Sequence, residues 1–237
     1  MKRTLLNLSV ALLATIFAAC GGADTAEPTN ETTTPKTQEP MQLQEVSNRT
    51  QMGAKIYVTP QPALMIGTYD ENGNPDVMMA AWGGQCGGNQ VCFSLSPHRT
   101  TTNLRANKEF TLSYATAATV VESDYFGIVS ANKVPDKVAH AGFTVTKSQN
   151  INAPIINEYP LTMECRVVEI QERGTDGSCF VIGEVVNAIA DPAILTNGKI
   201  DIKKLNPVVW DASSLNYFTL ADSVGQAWNS GNKYVEQ

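Results

Sequence analysis

Short runs of apolar residues, separated by turn residues, fill most of the chain after residue 44. Residues 62–69 form one such run and residues 76–82 form another, and the polar stretch 71–75 lies between them. The Asn72-Gly73 pair in this stretch can adopt positive φ at little steric cost. The pattern therefore predicts a β-hairpin.

The same reading predicts further strands and a few short helices. Residues 89–114 read as strand, helix and strand, with the helix over 101–108. Alternating runs at 162–171 and 179–187 flank a glycine-containing turn and predict a long antiparallel hairpin. Short closing strands are expected at 208–210 and 216–218, and helices at 120–129 and 135–141. Strands spaced by turns, with few helices, predict a mainly β fold, a small antiparallel barrel.

The first twenty residues have the pattern of an export signal. Lys2 and Arg3 precede an apolar run over 5–19, which is shorter than the roughly 20 residues needed to span a bilayer. The run ends in Phe17-Ala18-Ala19-Cys20, which resembles a bacterial lipoprotein box. We expect cleavage before Cys20, acylation of this residue, and a protein anchored to a membrane on the periplasmic side or the cell surface. An ordinary secretory peptide cut after Ala19 is the alternative.

Composition divides the chain into three parts. Residues 1–19 are the predicted signal peptide. Residues 20–44, which lack large apolar residues almost entirely and are rich in Thr, Pro, Glu and Gln, predict a disordered tether. Residues 45–237 are long enough for one domain with a sizeable core.

Charge and cysteine spacing exclude two kinds of site. Seventeen basic residues face 23 acidic ones, and no basic run follows the signal, so nucleic-acid binding is not expected. Cys86, Cys92, Cys165 and Cys179 form no C-x-x-C pair and no metal-ligand spacing with a histidine, so no metal site is expected. Cys165 would face Val185 across the long hairpin. We expect core thiols, although an exported compartment allows a disulfide.

Two neighbouring stretches predict a binding site. Small residues at 80–84 let a flat ligand lie against backbone amides. Hydroxyls and one guanidinium gather around a predicted helix start, a favourable place for a phosphate. A flat ring and a phosphate at opposite ends of one site indicate flavin mononucleotide (FMN). The predicted phosphate donors are Ser94, Ser96, Arg99, Thr100 and Thr101.

These and later motifs resemble the flavin-reductase-like FMN-binding proteins, in their flavoredoxin branch. The resemblance covers roughly residues 56–231 and rests on the order and spacing of its motifs. They are the strand 76–82, His98-Arg99-Thr100-Thr101, Glu109-Phe110, Ser130-Ala131-Asn132, Asp136-Lys137, Ala141-Gly142-Phe143, Ala153-Pro154-Ile155, Glu158-Tyr159-Pro160, Glu164-Cys165, Gly183-Glu184-Val185 and Leu205-Asn206-Pro207.

The resemblance implies a split barrel of Greek-key character that forms a homodimer, with FMN near the subunit interface. It also implies that Ser130, Asp136 and Lys137 lie near the flavin. Asp136 and Lys137 can equally be a solvated surface pair. The tryptophans and nearby aromatic residues have two interpretations. They form an apolar patch that a second subunit covers, or they fill the core.

Several candidate residues are compatible with two alternative roles each. Backbone groups of Met79, Ala80, Ala81 and Trp82 are the candidates for the ring, while Met79 is also compatible with plain strand packing. Thr100 and Thr101 suit a phosphate or a helix cap. His98 is a candidate for the phosphate site, and His140 for assisting a hydride donor or for a surface helix. Cys86 suits a redox role or an inert thiol.

The function expected is an FMN-dependent oxidoreductase that passes electrons between a donor and an acceptor of unknown identity. No catalytic side chain is assigned, because flavin chemistry needs no Ser-His-Asp or Cys-His arrangement. No dinucleotide fingerprint is present, so NAD(P)H would bind only transiently over the flavin. Export favours a protein or quinone-linked donor. The alternatives are a flavin-binding or scavenging lipoprotein without turnover and a barrel kept for protein interaction.

Overall fold

The computed structural model describes residues 49–235, and nearly all of them belong to a compact unit that begins at Met52. The predicted signal peptide (1–19), the acylated Cys20, the tether (20–44) and the predicted domain start at residue 45 lie outside the described residues. None of the helices within residues 49–235 combines the length and the apolar character that crossing a bilayer requires.

The described residues form mainly strands, as predicted. The helices are α1 (Arg99–Asn107), α2 (Val120–Ile128), α3 (Lys137–His140) and α4 (Ile202–Leu205), with single 3-10 turns at Pro192–Ile194 and Asn232–Tyr234. The strands are β1 (Gln61–Pro62), β2 (Leu64–Tyr69), β3 (Pro75–Ala80), β4 (Gly83–Gln85), β5 (Gln90–Leu95), β6 (Glu109–Tyr114), β7 (Val145–Lys147), β8 (Pro154–Ile156), β9 (Leu161–Arg173), β10 (Ser178–Ala190), β11 (Leu195–Thr196), β12 (Lys199–Ile200), β13 (Val208–Asp211) and β14 (Asn216–Thr219).

The β2–β3 hairpin forms where the sequence predicts it. The Asp70 carboxylate accepts hydrogen bonds from the backbone N–H groups of Asn72 (2.9 Å) and Asn74 (2.8 Å) and holds the turn. Gly73 takes the positive φ of +80° that favours glycine at this position. The turn therefore sets the register of β3, whose last residues reach the candidate site.

Seven strands form one antiparallel sheet in the order β3-β2-β6-β9-β10-β5-β4. Its two edge strands, β3 and β4, are consecutive in the chain, so the segment between them crosses from one edge of the sheet to the other. Ser94 N donates to the carbonyl of Trp82 in this crossing (2.8 Å). The sheet thereby curls into the split barrel that was predicted, and the crossing is where the site lies.

The long hairpin β9–β10 confirms the second predicted pairing, and a glycine lets it curve. Strand register shifts between Ile182 and Gly183, which bends β10 around the barrel. A Cβ at Gly183 would stand 2.5 Å from the Phe110 ring, so only glycine fits here. Cys165 pairs with Val185, as expected, and the four cysteines within residues 49–235 are free thiols.

Apolar side chains fill two cores, one on each side of the sheet. The barrel interior is packed around Phe93 and Phe110, whose rings meet edge to face at 5.4 Å. The second core lies between β2, β3 and the helices α2 and α3, with Phe126 and Tyr159 at its centre. Packing against this second core brings α2 and α3 beside β3.

Two helices and two strands differ from the sequence prediction. Helix α1 begins at Arg99, two residues early, because Thr101 occupies the third helical position and caps the helix through His98. Helix α3 is a single turn. The predicted closing strands β13 and β14 pair with each other and with β1 in a separate three-stranded sheet instead of joining the barrel sheet.

Candidate functional site

A cavity of about 340 Å³ opens beside the crossing between β3 and β4. We call it the ring cavity. Side chains from β3, β5, α2, β13 and β14 surround it, so elements distant in sequence meet here. Its lining residues are Ala63, Met78, Met79, Ala80, Ala81, Trp82, Ser94, Leu95, Ser96, His98, Asp124, Gly127, Ile128, Trp210 and Tyr217.

The ring cavity has mostly apolar walls with a few polar groups. Met78 and Met79 contribute thioethers, which pack well against flat π-systems. Trp82 is 60% exposed and stands at the mouth of the cavity. Such a cavity, large, apolar and carrying a few polar groups, has the character of a small-molecule site.

A hydroxyl and a carboxylate form a polar pair in the wall of the ring cavity. Tyr217 Oη donates to Asp124 Oδ1 (2.8 Å) and lies 3.7 Å from Met79 Sδ. Burial raises the pKa of Tyr217, and the hydrogen bond to Asp124 and the charge of that carboxylate raise it further. Tyr217 is therefore a neutral hydrogen-bonding group throughout the physiological range.

A second, smaller cavity of about 70 Å³ lies at the start of α1. We call it the phosphate cavity, from its size and its charged lining. It shares Met78, His98, Gly127 and Ile128 with the ring cavity, so the two cavities adjoin each other, and together we call them the slot. The rest of its lining is Asp76, Arg99, Thr100, Phe126, Val129, Ser130, Ala131 and Lys137.

A buried ion pair forms one wall of the phosphate cavity. Lys137 Nζ lies 3.0 Å from Asp76 Oδ1, and both side chains are 3% exposed. Thr100 Oγ1 donates to the other carboxylate oxygen (2.7 Å), and Lys137 Nζ also donates to the carbonyl of Val129 (2.9 Å). The ammonium is thus neutralised by protein groups, which a buried charge requires.

Arg99 is the cation at this end without such a partner. Within residues 49–235 no side chain hydrogen-bonds or ion-pairs its guanidinium. The Arg99 charge also acts on the Asp70 carboxyl. Burial raises the pKa of this carboxyl, but hydrogen bonds from Asn74 and Asn72, together with the Arg99 charge, outweigh burial and lower the pKa below its ordinary value. Arg99 also begins α1, where unpaired backbone N–H groups attract anions.

His98 lies at the junction of the two cavities. Burial lowers the pKa of its imidazole, and the Lys137 charge lowers it further, while Asp76 acts in the opposite direction. The ring is therefore neutral at pH 7. In that form it offers one donor and one acceptor to whatever crosses the junction.

The structure brings most of the predicted residues together, at places that partly differ from the prediction. Met79, Ala80, Ala81 and Trp82 line the ring cavity. Ser94 and Ser96, predicted as phosphate donors, also line the ring cavity and not the phosphate cavity. The phosphate cavity receives His98, Arg99, Thr100, Ser130 and Lys137.

The candidate residues Thr101, Asp136 and His140 lie outside both cavities. The Thr101 hydroxyl accepts from His98 N (3.0 Å) and donates to His98 O (2.8 Å), so it serves as the helix cap that was the alternative reading. Asp136 is exposed at the start of α3, and His140 is exposed on the same helix. Neither the cap nor these surface groups faces the slot.

Asp124, Gly127, Trp210 and Tyr217 line the ring cavity without having been assigned to the ring. Tyr217 and Trp210 had been read as part of an apolar patch. No signal in the sequence marks Asp124 or Gly127, because they enter the site only when α2 packs against β3. Gly127 permits that approach, since a Cβ there would stand 3.2 Å from Met79 Cε.

Comparison with known proteins identifies the family to which this fold belongs. A family profile described as "Flavin reductase like domain" matches residues 56–217. The flavoredoxin of Desulfovibrio vulgaris (Miyazaki F) is 29% identical, with a TM-score of 0.72, over 77% of this chain and 99% of that one. The flavoredoxin of Methanosarcina acetivorans is 28% identical, with a TM-score of 0.72, over 78% and 98%.

A more distant structure shares the fold alone. The FMN-binding protein from Thermus thermophilus, solved with bound 1-cyclohex-2-enone, is 16% identical over 78% of this chain and 99% of that one, with a TM-score of 0.60. The split-barrel architecture therefore persists at low sequence identity.

Proposed function

The chain belongs to the flavin-reductase-like FMN-binding family, in its flavoredoxin branch, and on that premise we propose that it binds FMN in the slot and passes electrons through it. The observation that supports the proposal is that a ring-sized and a phosphate-sized cavity lie next to each other and share Met78, His98, Gly127 and Ile128 as lining residues. A bound flavin would supply the redox chemistry.

The residues present fit both ends of FMN. At the ring end the segment from Ala80 to Trp82 carries two alanines, so its backbone is open to a flat ligand, and Met79 supplies a soft contact. At the other end Arg99 offers a planar fork of donors that suits a phosphate. Lys137 contributes positive potential to the cavity while its ammonium stays bonded to Asp76.

Ligand titration tests the proposal directly. Purified protein freed of ligand is titrated with FMN, riboflavin and FAD, and binding is followed by quenching of flavin fluorescence. We expect FMN to bind more tightly than riboflavin, because only FMN reaches both cavities. Equal affinity for the two would refute a phosphate site at α1, and no quenching at all would favour the interaction barrel.

The junction of the two cavities offers a structural test. In Gly127→Leu the added side chain meets Met79 where the two cavities adjoin, so FMN binding should be lost. Because the same side chain also disturbs the packing of α2 on β3, thermal unfolding is recorded to confirm that the variant is folded at the assay temperature. Gly88→Leu is the control, because a Cβ at Gly88 meets nothing within 4 Å and lies outside the slot. Unaltered FMN affinity in Gly127→Leu would mean that the flavin does not cross this junction.

The electron donor is proposed from the predicted location. If Cys20 is acylated and the protein is exported, cytoplasmic nicotinamide pools are out of reach, and a protein or quinone-linked donor is favoured. Anaerobic mixing of the FMN-loaded protein with NADH and NADPH tests this. Rapid bleaching of the flavin would overturn the preference, and a flavin that no donor reduces would favour a scavenging role.

The anchor and the dimer belong to the same proposal. Replacing Cys20 with Ala should move the protein from the membrane fraction to the soluble fraction. A second subunit is proposed to cover the mouth of the ring cavity, where Trp82 is 60% exposed and Ile128 75% exposed. Sedimentation of the wild type and of Trp82→Ala tests this, with a shift toward monomer expected in the variant.

A further inference from the structure

Two thiols lie on one face of the β4–β5 hairpin. Gly84 pairs directly with Cys92, and Cys86 N donates to Gln90 O (3.0 Å), which extends the pairing beyond β4. Cys86 is therefore two residues beyond Gly84 and on the same face, because side chains alternate along a strand. Cys86 and Cys92 are diagonal neighbours across the hairpin.

On this face of the hairpin Gln90 is the residue opposite Cys86, and its side chain lies against Gly87. Gly84, opposite Cys92, has no side chain, and a Cβ built there would meet nothing within 4 Å. Burial raises the pKa of Cys92 to about 11, and the adjoining Cys86 thiol is the next cause, so the two thiols interact. Both are free, and Cys86 is exposed.

The hairpin connection allows the two thiols to come closer. A disulfide needs Cβ atoms about 3.5–4.5 Å apart, which is less than the separation of diagonal neighbours in a regular ladder. Gly87 and Gly88 lie in the connection just after Cys86, and glycines adapt readily to such a change. Bridging the pair therefore requires Cys86 to move inward by about 3 Å.

The thiol pair lies further along the β4–β5 hairpin than the residues that line the ring cavity. Ser94 lines that cavity, and Cys92 precedes it by two residues on the same face of β5. Two residues along a strand span about 7 Å. Trp82, whose carbonyl accepts from Ser94 N, connects the hairpin to the crossing segment. Cys92 is therefore one residue pair from the ring cavity and Cys86 two pairs from it, and the hairpin leads to the ring end of the slot and not to its phosphate end.

We propose that Cys86 and Cys92 are a reversible dithiol–disulfide pair that exchanges two electrons with the flavin in the ring cavity, an inference that rests on the proposed flavin site. In the forward direction both S–H bonds break and one S–S bond forms. The two electrons and the two protons released by the thiols pass to the oxidised isoalloxazine, which is reduced by two electrons. The reverse step restores both thiols. Cys86, the exposed member, is open to a dithiol or disulfide of a redox partner.

Peptide mapping tests the thiol pair without any flavin. The full-length protein is equilibrated without oxygen in mixtures of reduced and oxidised dithiothreitol, quenched with acid, unfolded, alkylated and cut with trypsin. Residues 56–99 form one tryptic peptide that holds Cys86, Cys92 and no other cysteine. We expect two alkyl groups on this peptide under reducing conditions. Under oxidising conditions we expect none, with a mass lower by two hydrogens.

Two controls accompany the mapping. In Cys86→Ser the remaining Cys92 should stay alkylatable in every mixture, which excludes oxidation of one sulfur alone. The buried Cys165 and Cys179 should take up label after unfolding under all conditions. Two alkyl groups on the wild-type peptide at every ratio would overturn the proposal.

A second experiment tests electron exchange with the flavin. Prereduced protein, freed of dithiothreitol, is mixed with FMN without oxygen, and visible absorbance is recorded together with the thiol content. The wild type should bleach FMN and lose two thiols. Cys86→Ser and Cys92→Ser should bind FMN with unchanged fluorescence quenching but leave it oxidised.

The outcomes separate the two proposals. Bound FMN that stays oxidised beside the wild-type dithiol would overturn the electron exchange and leave the flavin site standing. FMN that does not bind would overturn the flavin site and the exchange together, while the peptide map still reports whether the thiols pair.

Discussion

The two ends of the slot are built on different principles. The ring cavity is wide and has apolar walls with one Tyr217–Asp124 hydrogen bond. The phosphate cavity is small and is bounded by a buried ion pair, a helix start and the Arg99 guanidinium. Shape and thioether contacts would hold a ligand in the ring cavity, and charge would hold it in the phosphate cavity. Substitutions at one end should therefore leave a distinct signature from those at the other.

The two cations of the phosphate cavity also differ. Lys137 is bonded to Asp76 and to backbone carbonyls, so its charge supports the fold. Arg99 has no ion-pair partner within residues 49–235 and is half-buried at the cavity. The comparison teaches that a cation near a ligand site can be a structural group, and that only a partnerless one is available to the ligand.

The largest effect is expected from breaking the buried pair. Lys137→Met leaves the Asp76 carboxylate buried without its counter-charge, and we expect a loss of about 3–5 kcal/mol in the free energy of unfolding. Urea denaturation measures it. Lys203→Met breaks an exposed ion pair with Asp222 and should cost less than about 1 kcal/mol. A similar small loss for both variants would show that Lys137 does not support the fold.

The next effect should separate the two ends of the ligand. Arg99→Ala removes a charge-assisted hydrogen bond to the phosphate and should weaken FMN binding by about 1.5–3 kcal/mol. Riboflavin, which lacks the phosphate, should bind as before. Arg105→Ala, on the same helix but paired with Glu172, is the matched control and should change neither affinity. An equal loss for FMN and riboflavin would place Arg99 at the ring.

A smaller effect is expected at the ring end. Tyr217→Phe removes the hydroxyl that donates to Asp124 and contacts Met79 Sδ. Both FMN and riboflavin should lose about 0.5–1.5 kcal/mol of binding free energy, because both carry the ring. Isothermal titration of the two ligands measures the pair of losses. A loss confined to FMN would contradict the assignment of the two cavities.

Sequence patterns predicted the parts of the site that are continuous in the chain. The strand, predicted over 76–82 and found over Pro75–Ala80, and the helix, predicted from residue 101 and found from Arg99, follow from local alternation and turn chemistry, with ends that differ by up to two residues. The long β9–β10 hairpin was equally readable, because its strands are neighbours in sequence. The split barrel itself was predicted from the family resemblance. The placement of β3 and β4 at opposite edges of the sheet depends on pairings between strands that are distant in sequence, which local patterns do not reveal.

The remaining features of the site could not be predicted from the sequence, because they depend on tertiary packing and on which groups compete for the same hydrogen bond. Asp124 and Gly127 carry no local mark of a site, because α2 reaches the slot only through the second core. Ser94 and Ser96 lie on the face of their strand that is turned to the ring cavity. Which cavity this face meets depends on the register of β5 against β4 and β10, which the sequence does not reveal. The Thr101 hydroxyl is taken by the helix cap, an option open in the sequence that the structure selects.

The smallest effect concerns His98, at the junction of the two ends. Burial lowers the pKa of this imidazole below its ordinary value of 6.5. The folded protein therefore takes up this proton at a lower pH than the unfolded chain. The stability that depends on neutral His98 is present above pH 6.5 and is lost as the pH falls through the folded pKa. The free energy of unfolding of wild type and of His98→Gln, measured against pH, should follow the same pH dependence above pH 6.5 and diverge only below it.

Flavin binding should respond to the same proton. A protonated His98 adds a positive charge beside the phosphate cavity, so FMN should gain affinity relative to riboflavin as the wild type is acidified, by less than about 1 kcal/mol. His98→Gln should lack this gain, and the comparison removes the contribution of the phosphate's own titration. His140→Gln, at the exposed second histidine, is the control and should behave as wild type. An identical FMN-to-riboflavin ratio in wild type and His98→Gln at every pH would remove His98 from the junction, because a proton at that place must act on the phosphate and not on the ring.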